Sequence, residues 1–500
     1  MDNWIPEAII YQINLRSLAA REPRNAIEAA VEQPLAESPL AYVRRGLPSI
    51  CALGANVLYL MPPYPIGLAG RKGIGSPYAI RDFRAIEPEY GTMEDMTDLV
   101  REAHRLGLKV IFDLTPNHTA RDHVWMASRP DFYVKNPDGS VFHDCDWTDT
   151  AKLDYTQPAL RREMIDVYDA WLEFLGRDRQ GLSDGIDGFR LDMAHFINDR
   201  GFWDEAVADL QSEHVGRDLL FLAECYGRDN NLDLFRRGIN AAYDDDFFKV
   251  ATQLYGVDEQ GETQIVPAPG LEHDGGFRDR YDAFRSGGLA GAFRRALLNY
   301  EEAGLDALGP WLARYTDNHD EGRGLYLMGD GAVRAVNQLI FLAPRTLPFL
   351  LTGQEFGALN RPSIHDRLTP IGKKRRVVQP NGTVRELDAV EFEGNLFARG
   401  HARRQAWYQF YRELIALRRS QPALTRGSFA LLEVGEDAPA DEQTVLAFER
   451  RLGSQVLRCA INLGPAPRRL NQDARLDGTT LLGECVDHTL PAFGCIVSQA

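Results

Sequence analysis

Arg190 and Asp192 stand two residues apart at the end of a short apolar run, Gly188-Phe189-Arg190-Leu191-Asp192. If that run is a strand, side chains alternate with a period of two and this pair shares one face. A buried carboxylate needs a charged or hydrogen-bonding partner. Arg190 supplies one, which predicts an Asp192 carboxylate ionised and below its usual pKa. An oriented, ionised carboxylate at a strand end can act as a nucleophile in glycosyl transfer. The same pair is also compatible with a purely structural salt link, so other segments must decide.

Three more segments share this form, an apolar run that ends in ionisable residues. They are Lys109-Val110-Ile111-Phe112-Asp113-Leu114-Thr115-Pro116-Asn117-His118, then Leu219-Leu220-Phe221-Leu222-Ala223-Glu224, then Ala313-Arg314-Tyr315-Thr316-Asp317-Asn318-His319-Asp320. Any one of them could be a strand whose acid caps the next helix. Four in order, separated by helix-like sequence, predict catalytic groups at the carboxyl ends of parallel strands, as in a (β/α)8 barrel. Asp192 and Glu224 would end consecutive strands, about 4.8 Å apart. That spacing suits the ~5–5.5 Å between two carboxyls that retaining glycoside hydrolysis requires. Glu224, behind Phe221-Leu222-Ala223 and near other acids, is expected to hold its proton as a general acid must.

The elements that position these residues are legible in outline. Asn56–Met61 is an apolar strand of the type parallel sheets bury on both faces. Thr92 with Glu94 and Asp95 opens a helix that Gly107 ends. Between Asn117 and Tyr155 turn residues dominate, predicting a short lobe inserted after the third strand. Ile239–Tyr243 is the candidate sixth strand, 253–280 is loop-like, and Leu312–Tyr315 and Thr346–Leu351 complete eight. Residues 358–400 read as a polar loop whose Lys373-Lys374-Arg375-Arg376 cluster is a solvated turn. From Gln421 short alternating runs (Phe429–Val434, Thr444–Phe448, Gln455–Ile461, Gly494–Ser498) predict an antiparallel β domain. The expected division is a barrel of residues 1–116 and 156–420, a lobe of 117–155, and a β-sandwich-like domain of 421–500.

Composition narrows the partners. With 44% hydrophobic and 26% charged residues the chain is an ordinary globular one. A net charge of −16 disfavours nucleic acid and anionic membranes. No stretch reaches the ~20 apolar residues of a membrane span. Met1-Asp2-Asn3-Trp4 lacks the basic lead and apolar stretch of a signal peptide, so a cytoplasmic location is expected. The six cysteines show no CxxC pairs and read as reduced packing residues.

Taken together, the four strand-end segments resemble the motifs of the α-amylase family of glycoside hydrolases, glycoside hydrolase family 13. The resemblance extends to Trp4–Ile13, Gly54–Pro62, Tyr78–Phe83 with Glu89-Tyr90-Gly91-Thr92, Lys152-Leu153-Asp154-Tyr155, and Pro348–Gly357 with Gly353-Gln354-Glu355. It implies an enzyme cleaving α-glucosidic bonds in α-glucans, maltooligosaccharides or small α-glucosides by double displacement, with Asp192 as nucleophile, Glu224 as acid/base and Asp320 as third carboxylate. It further implies that Arg190, His118, His195 and His319 bind substrate, that Tyr78 stacks on the sugar, and that Asp113 orders Arg190. His195 stands where many endo-acting members have lysine, and Phe196 replaces the histidine that follows, a departure from the long-chain starch pattern. No cofactor is required by this chemistry. Calcium is a common structural ion of the family, and Asn117 matches one ligand position; Asp144, Asp146 and Asp149 are available in the lobe without a spacing that singles them out. Three other readings stand beside the hydrolase: an α-glucosyl transferase or isomerase, a catalytically silent sugar-binding protein, and a metal-dependent hydrolase using His118, His319, Asp320 and Glu224.

Overall fold

In the computed structural model eight parallel strands close a barrel in sequence order. They are β1 (Ile10–Ile13), β2 (Val57–Leu60), β3 (Lys109–Leu114), β4 (Gly188–Leu191), β5 (Leu220–Ala223), β6 (Ala241–Tyr243), β7 (Trp311–Arg314) and β8 (Thr346–Leu351). The structure describes residues 3–18, 37–177, 181–257, 263–265, 288–305, 309–359, 364, 375–378, 384–387, 402–436, 438–439, 442–471, 476 and 478–500. Two compact units make up the chain, one centred on residues 1–243 and the other on 244–361 with 399–500.

The first unit carries β1 to β6. Nearly every residue of these strands is buried, as expected of strands covered by helices on one side and packed across the barrel on the other. Register sets which residues share a level: Tyr59 lies opposite Ile111, Asp113 opposite Arg190, and Arg190 opposite Leu222. Gly188 opens β4 because backbone passes there; a Cβ at that position would lie 2.1 Å from the Leu220 carbonyl oxygen. The helix Met93–Arg105 between β2 and β3 starts on a capping box in which Thr92 and Asp95 each accept the other's backbone N–H. Its Met96, Leu99, Val100 and Ala103 recur at helical spacing and are buried. After β3, His118–Ala120 and Thr150–Lys152 pair as an antiparallel two-stranded sheet at the base of the inserted lobe, His118 opposite Lys152.

The second unit holds β7, β8 and the helix Gly324–Leu342 between them. Its C-terminal part is a five-stranded antiparallel sheet in the order Ser428–Leu432, Val445–Leu452, Gln455–Asn462, Cys495–Gln499, Thr479–Gly483. The last of these, an edge strand, is absent from the sequence reading: Thr479-Thr480-Leu481-Leu482 has no alternation and little burial to betray it. Two loop assignments also need correction. Tyr255–Val257 pairs with Thr263–Ile265, and Arg375–Val378 with Val384–Leu387. Arg375 and Arg376 therefore begin a strand, while Lys373 and Lys374 lie outside the described residues. Among the described residues no helix is long and apolar enough to cross a membrane.

Candidate active site

Asp192 and Glu224 are the first residues beyond β4 and β5. Each is still tied to the neighbouring strand, Asp192 N–H to Leu114 O and Glu224 N–H to Leu191 O, both at 3.0 Å. The ladder therefore fixes their backbones before the chain turns away. Arg190, two residues before Asp192 and across from Asp113, points to the barrel interior and is 0% exposed. Its Nη1 donates to Asp192 Oδ1 at 2.7 Å and to Asp113 Oδ1 at 2.9 Å, and its Nη2 lies 2.9 Å from Glu224 Oε2. One guanidinium thus gathers three carboxyl groups from three adjacent strands.

The tyrosines around it complete the support. Asp113 Oδ2 accepts from Tyr59 Oη at 2.5 Å and Tyr78 Oη at 2.9 Å. The Arg190 guanidinium lies 5.6 Å from the Tyr78 ring centre and 5.5 Å from that of Tyr243. Such contacts favour a desolvated cation. Tyr59 and Tyr243 escaped the sequence reading; the signal was a tyrosine at an inward position of an otherwise apolar strand.

Charge balance corrects one expectation. Asp192 is not held below the usual carboxylate range but pushed well above it, first by burial and then by the neighbouring charge of Glu224, against the pull of Arg190. The sequence shows Arg190 as a private partner of Asp192. Register shows it shared with Asp113 and Glu224, so its compensation is divided.

His118 and His195 flank this centre within the same unit. Burial lowers both to about 4, so each is neutral at pH 7. His118 Nδ1 lies 3.1 Å from Asn117 Nδ2, and its ring centre is 5.4 Å from that of Trp147 in the lobe. The His195 ring packs edge-on against Phe196 at 4.7 Å and Tyr226 at 5.9 Å.

The oxygens expected to serve calcium have another occupant. Asn117 Oδ1 (3.1 Å), both oxygens of Asp144 (2.9 and 2.8 Å) and the Phe196 carbonyl (2.9 Å) all accept from Lys152 Nζ. An ammonium in the middle of four oxygens fills the space and supplies the charge that Ca²⁺ would bring, and Ca²⁺ needs six to eight oxygens. These residues do not fit a calcium ion. Nor do three or more His, Cys, Asp or Glu side chains converge as metal ligands elsewhere among the described residues.

In the second unit β7 leads into the segment ending at Asp320. Asp317 is buried and braces the turn: Thr316 Oγ1 donates to it at 2.8 Å and Arg323 lies 3.6 Å away. Burial raises its pKa in spite of Arg323. Asn318 Oδ1 accepts the N–H groups of Asp320 and Glu321, at 2.9 and 2.8 Å, which fixes the loop carrying Asp320. His319 is buried with Nε2 3.0 Å from Asp320 Oδ2, while the Asp320 side chain remains 37% exposed. Of the predicted residues, Asp192, Glu224, Arg190 and Tyr78 converge directly, His118 joins the lobe with Asn117, and His319 and Asp320 form a pair of their own.

Comparison with known proteins agrees with this architecture. The family model described as α-amylase catalytic domain matches residues 40–225. The chain is 25% identical to a probable oligo-1,6-glucosidase 3 of Bacillus subtilis, over 93% of this chain and 91% of that protein. It is 30% identical to an α-1,4-glucan:maltose-1-phosphate maltosyltransferase of Arcanobacterium haemolyticum, over 36% of this chain and 27% of that one. The solved structure of an α-amylase from Lactobacillus plantarum superposes with a TM-score of 0.70 at 24% identity, covering all of both chains. The closed barrel and the order of the strand-end motifs, with the match over residues 40–225, support the α-amylase family of glycoside hydrolases.

Proposed function

We propose that the protein is a retaining α-glycosidase that cleaves α-glucosidic bonds in maltooligosaccharides or small α-glucosides. The observation that carries this reading is the single buried guanidinium of Arg190 holding Asp192 and Glu224 side by side at two strand ends. Two carboxyls that share one cation and one site can divide the roles, one as an ionised nucleophile and one as a proton donor. That division is the one a double displacement starts from: Asp192 ionised to attack C1, Glu224 protonated to release the leaving oxygen. Asp192 attacks through the oxygen that Arg190 does not hold. The family resemblance gives Asp320, on the loop held by Asn318, the role of third carboxylate. His118, His195 and His319 are neutral or carboxylate-paired polar rings suited to hydroxyl recognition, and Tyr78, anchored through its phenol, offers its ring to the sugar.

A product time course on maltoheptaose and an aryl α-glucoside tests this. Mixed short maltodextrins indicate internal cleavage; glucose or nitrophenol alone indicates removal of terminal units. Products longer than the substrate would favour the transferase reading, to which the similarity to a maltosyltransferase lends some weight. No turnover of either substrate sinks the proposal.

The raised Asp192 carboxyl predicts a pH profile. As pH falls through its raised pKa, Asp192 takes up a proton and loses its nucleophilicity. The acid limb of kcat/KM should therefore lie above the ordinary aspartate value of about 3.9. An inflection at or below that value would contradict the shared-cation account. The Lys152 arrangement predicts that EDTA leaves activity unchanged; loss on chelation, restored by Ca²⁺, would overturn it.

A further inference from the structure

Tyr226, two residues beyond Glu224, places its phenol oxygen 2.8 Å from Glu224 Oε1. The other carboxyl oxygen, Oε2, accepts the Met193 N–H at 3.0 Å and faces Arg190 Nη2 at 2.9 Å. Met193 brings its N–H there with φ at +47°, a left-handed conformation that costs a residue with a side chain backbone energy and persists where the surroundings impose it.

A backbone amide and a guanidinium can only donate. A carboxylic acid cannot direct its own proton at a donor, so Oε2 is closed to the acid proton. Protonated Glu224 carries that proton on Oε1. The group waiting at Oε1 is a phenol, which both donates and accepts. It accepts Oε1–H while Glu224 is an acid and donates to Oε1 once Glu224 is a carboxylate. We propose that Tyr226 is a positioning residue that keeps the acid/base proton of Glu224 on Oε1 and supports that oxygen through both half-reactions. The inference rests on the retaining-glycosidase reading above.

In the first half-reaction an Asp192 oxygen bonds to C1 as the glycosidic C1–O bond breaks, its electron pair passing to the leaving oxygen, which takes the proton from Oε1. The Tyr226 hydroxyl then turns to donate to the bare Oε1. In the second, water attacks C1, the C1–Asp192 bond breaks, and a water proton returns to Oε1. The titratable and charged groups facing Glu224 are Arg190 and Asp192 around β4, His195 from the turn that follows, Tyr243 from β6, and Tyr226 itself. Of these, Tyr226 donates to Oε1, and its loss leaves the contacts at Oε2 in place.

The test compares wild type, Tyr226→Phe, Glu224→Gln and the double variant by kcat/KM, which reports the first bond-breaking step. Maltoheptaose releases a sugar alkoxide that needs the proton; α-glucosyl fluoride releases fluoride, which does not. Tyr226→Phe should lose about tenfold on maltoheptaose and little on the fluoride. Its alkaline limb should move upward, because the phenol hydrogen bond favours the charged carboxylate more than the neutral acid. In the Glu224→Gln background the second substitution should cost nothing further on maltoheptaose. Equal losses on both substrates, an unmoved alkaline limb, or an additive double variant would show that Tyr226 merely packs, and would overturn the inference alone. A Glu224→Gln enzyme as active as wild type would overturn the glycosidase reading together with it.

Discussion

Asparagine at position 192 should lower maltooligosaccharide turnover by about 10⁴-fold or more, as expected for loss of a nucleophile whose removal leaves only binding and electrostatic catalysis. The same substitution should make the protein more, not less, resistant to unfolding at pH 7. The folded structure raises the Asp192 carboxyl above its ordinary value, through burial and then through Glu224. A carboxyl raised by folding binds its proton more tightly in the native state. Its ionisation therefore opposes folding, and stability falls as pH rises from the unfolded value of about 3.9 through the folded one. At pH 7, well above the unfolded value, the wild-type site bears that penalty. Asparagine keeps an acceptor for Arg190 and removes the charge, so the midpoint of thermal unfolding should rise at pH 7. The gain should shrink toward pH 4, where Asp192 itself is protonated. A midpoint that drops at pH 7 would mean Asp192 is chiefly a structural partner of Arg190, and retained turnover would remove it from the mechanism.

Alanine at position 152 should have the second large effect, this time on stability. Lys152 Nζ is the common donor to Asn117, Asp144 and the Phe196 carbonyl, with only 10% of the Lys152 side chain and 15% of the Asp144 side chain exposed. Removing one partner of a buried ion pair leaves the other charge desolvated, which costs about 3–5 kcal/mol. Asn117 and His118 are adjacent, and His118 pairs with Lys152 across the lobe sheet. The damage should therefore reach substrate binding, read as a rise in KM. The vacated oxygens, completed by water, would then suit a divalent cation. Millimolar Ca²⁺ should recover part of the lost midpoint in Lys152→Ala and leave wild type unchanged. A wild-type midpoint that rises with Ca²⁺ would contradict the role given to Lys152, as would a Lys152→Ala protein of wild-type stability.

Much of the fold and the main carboxyls were legible in the chain itself, for a physical reason. Strands buried on both faces must be apolar throughout, so an arginine or aspartate inside such a run stands out at once. Asp113, Arg190 and Asp192 are conspicuous because burying them is costly. The capping box at Thr92 and the turn residues of the lobe are local signals of the same kind. Thr479–Gly483 was missed because an edge strand with little burial leaves no such mark.

What the sequence determined by itself is which residues are expensive to bury and the order in which strands present them: eight strands, and acids at the ends of the third, fourth and fifth. The tertiary structure alone decided how charge is shared among them. Arg190 and Asp192 look like a pair along the chain, but parallel register sets Asp113 beside Arg190 and brings Glu224 to its other nitrogen, while burial first and the Glu224 charge second push the Asp192 carboxyl up against the pull of Arg190. The same holds for Lys152, an unremarkable residue in a three-residue strand until folding surrounds its ammonium with four oxygens. Periodicity along a chain tells which face a side chain takes; how far one cation must stretch, and over how many anions, depends on neighbours distant in sequence.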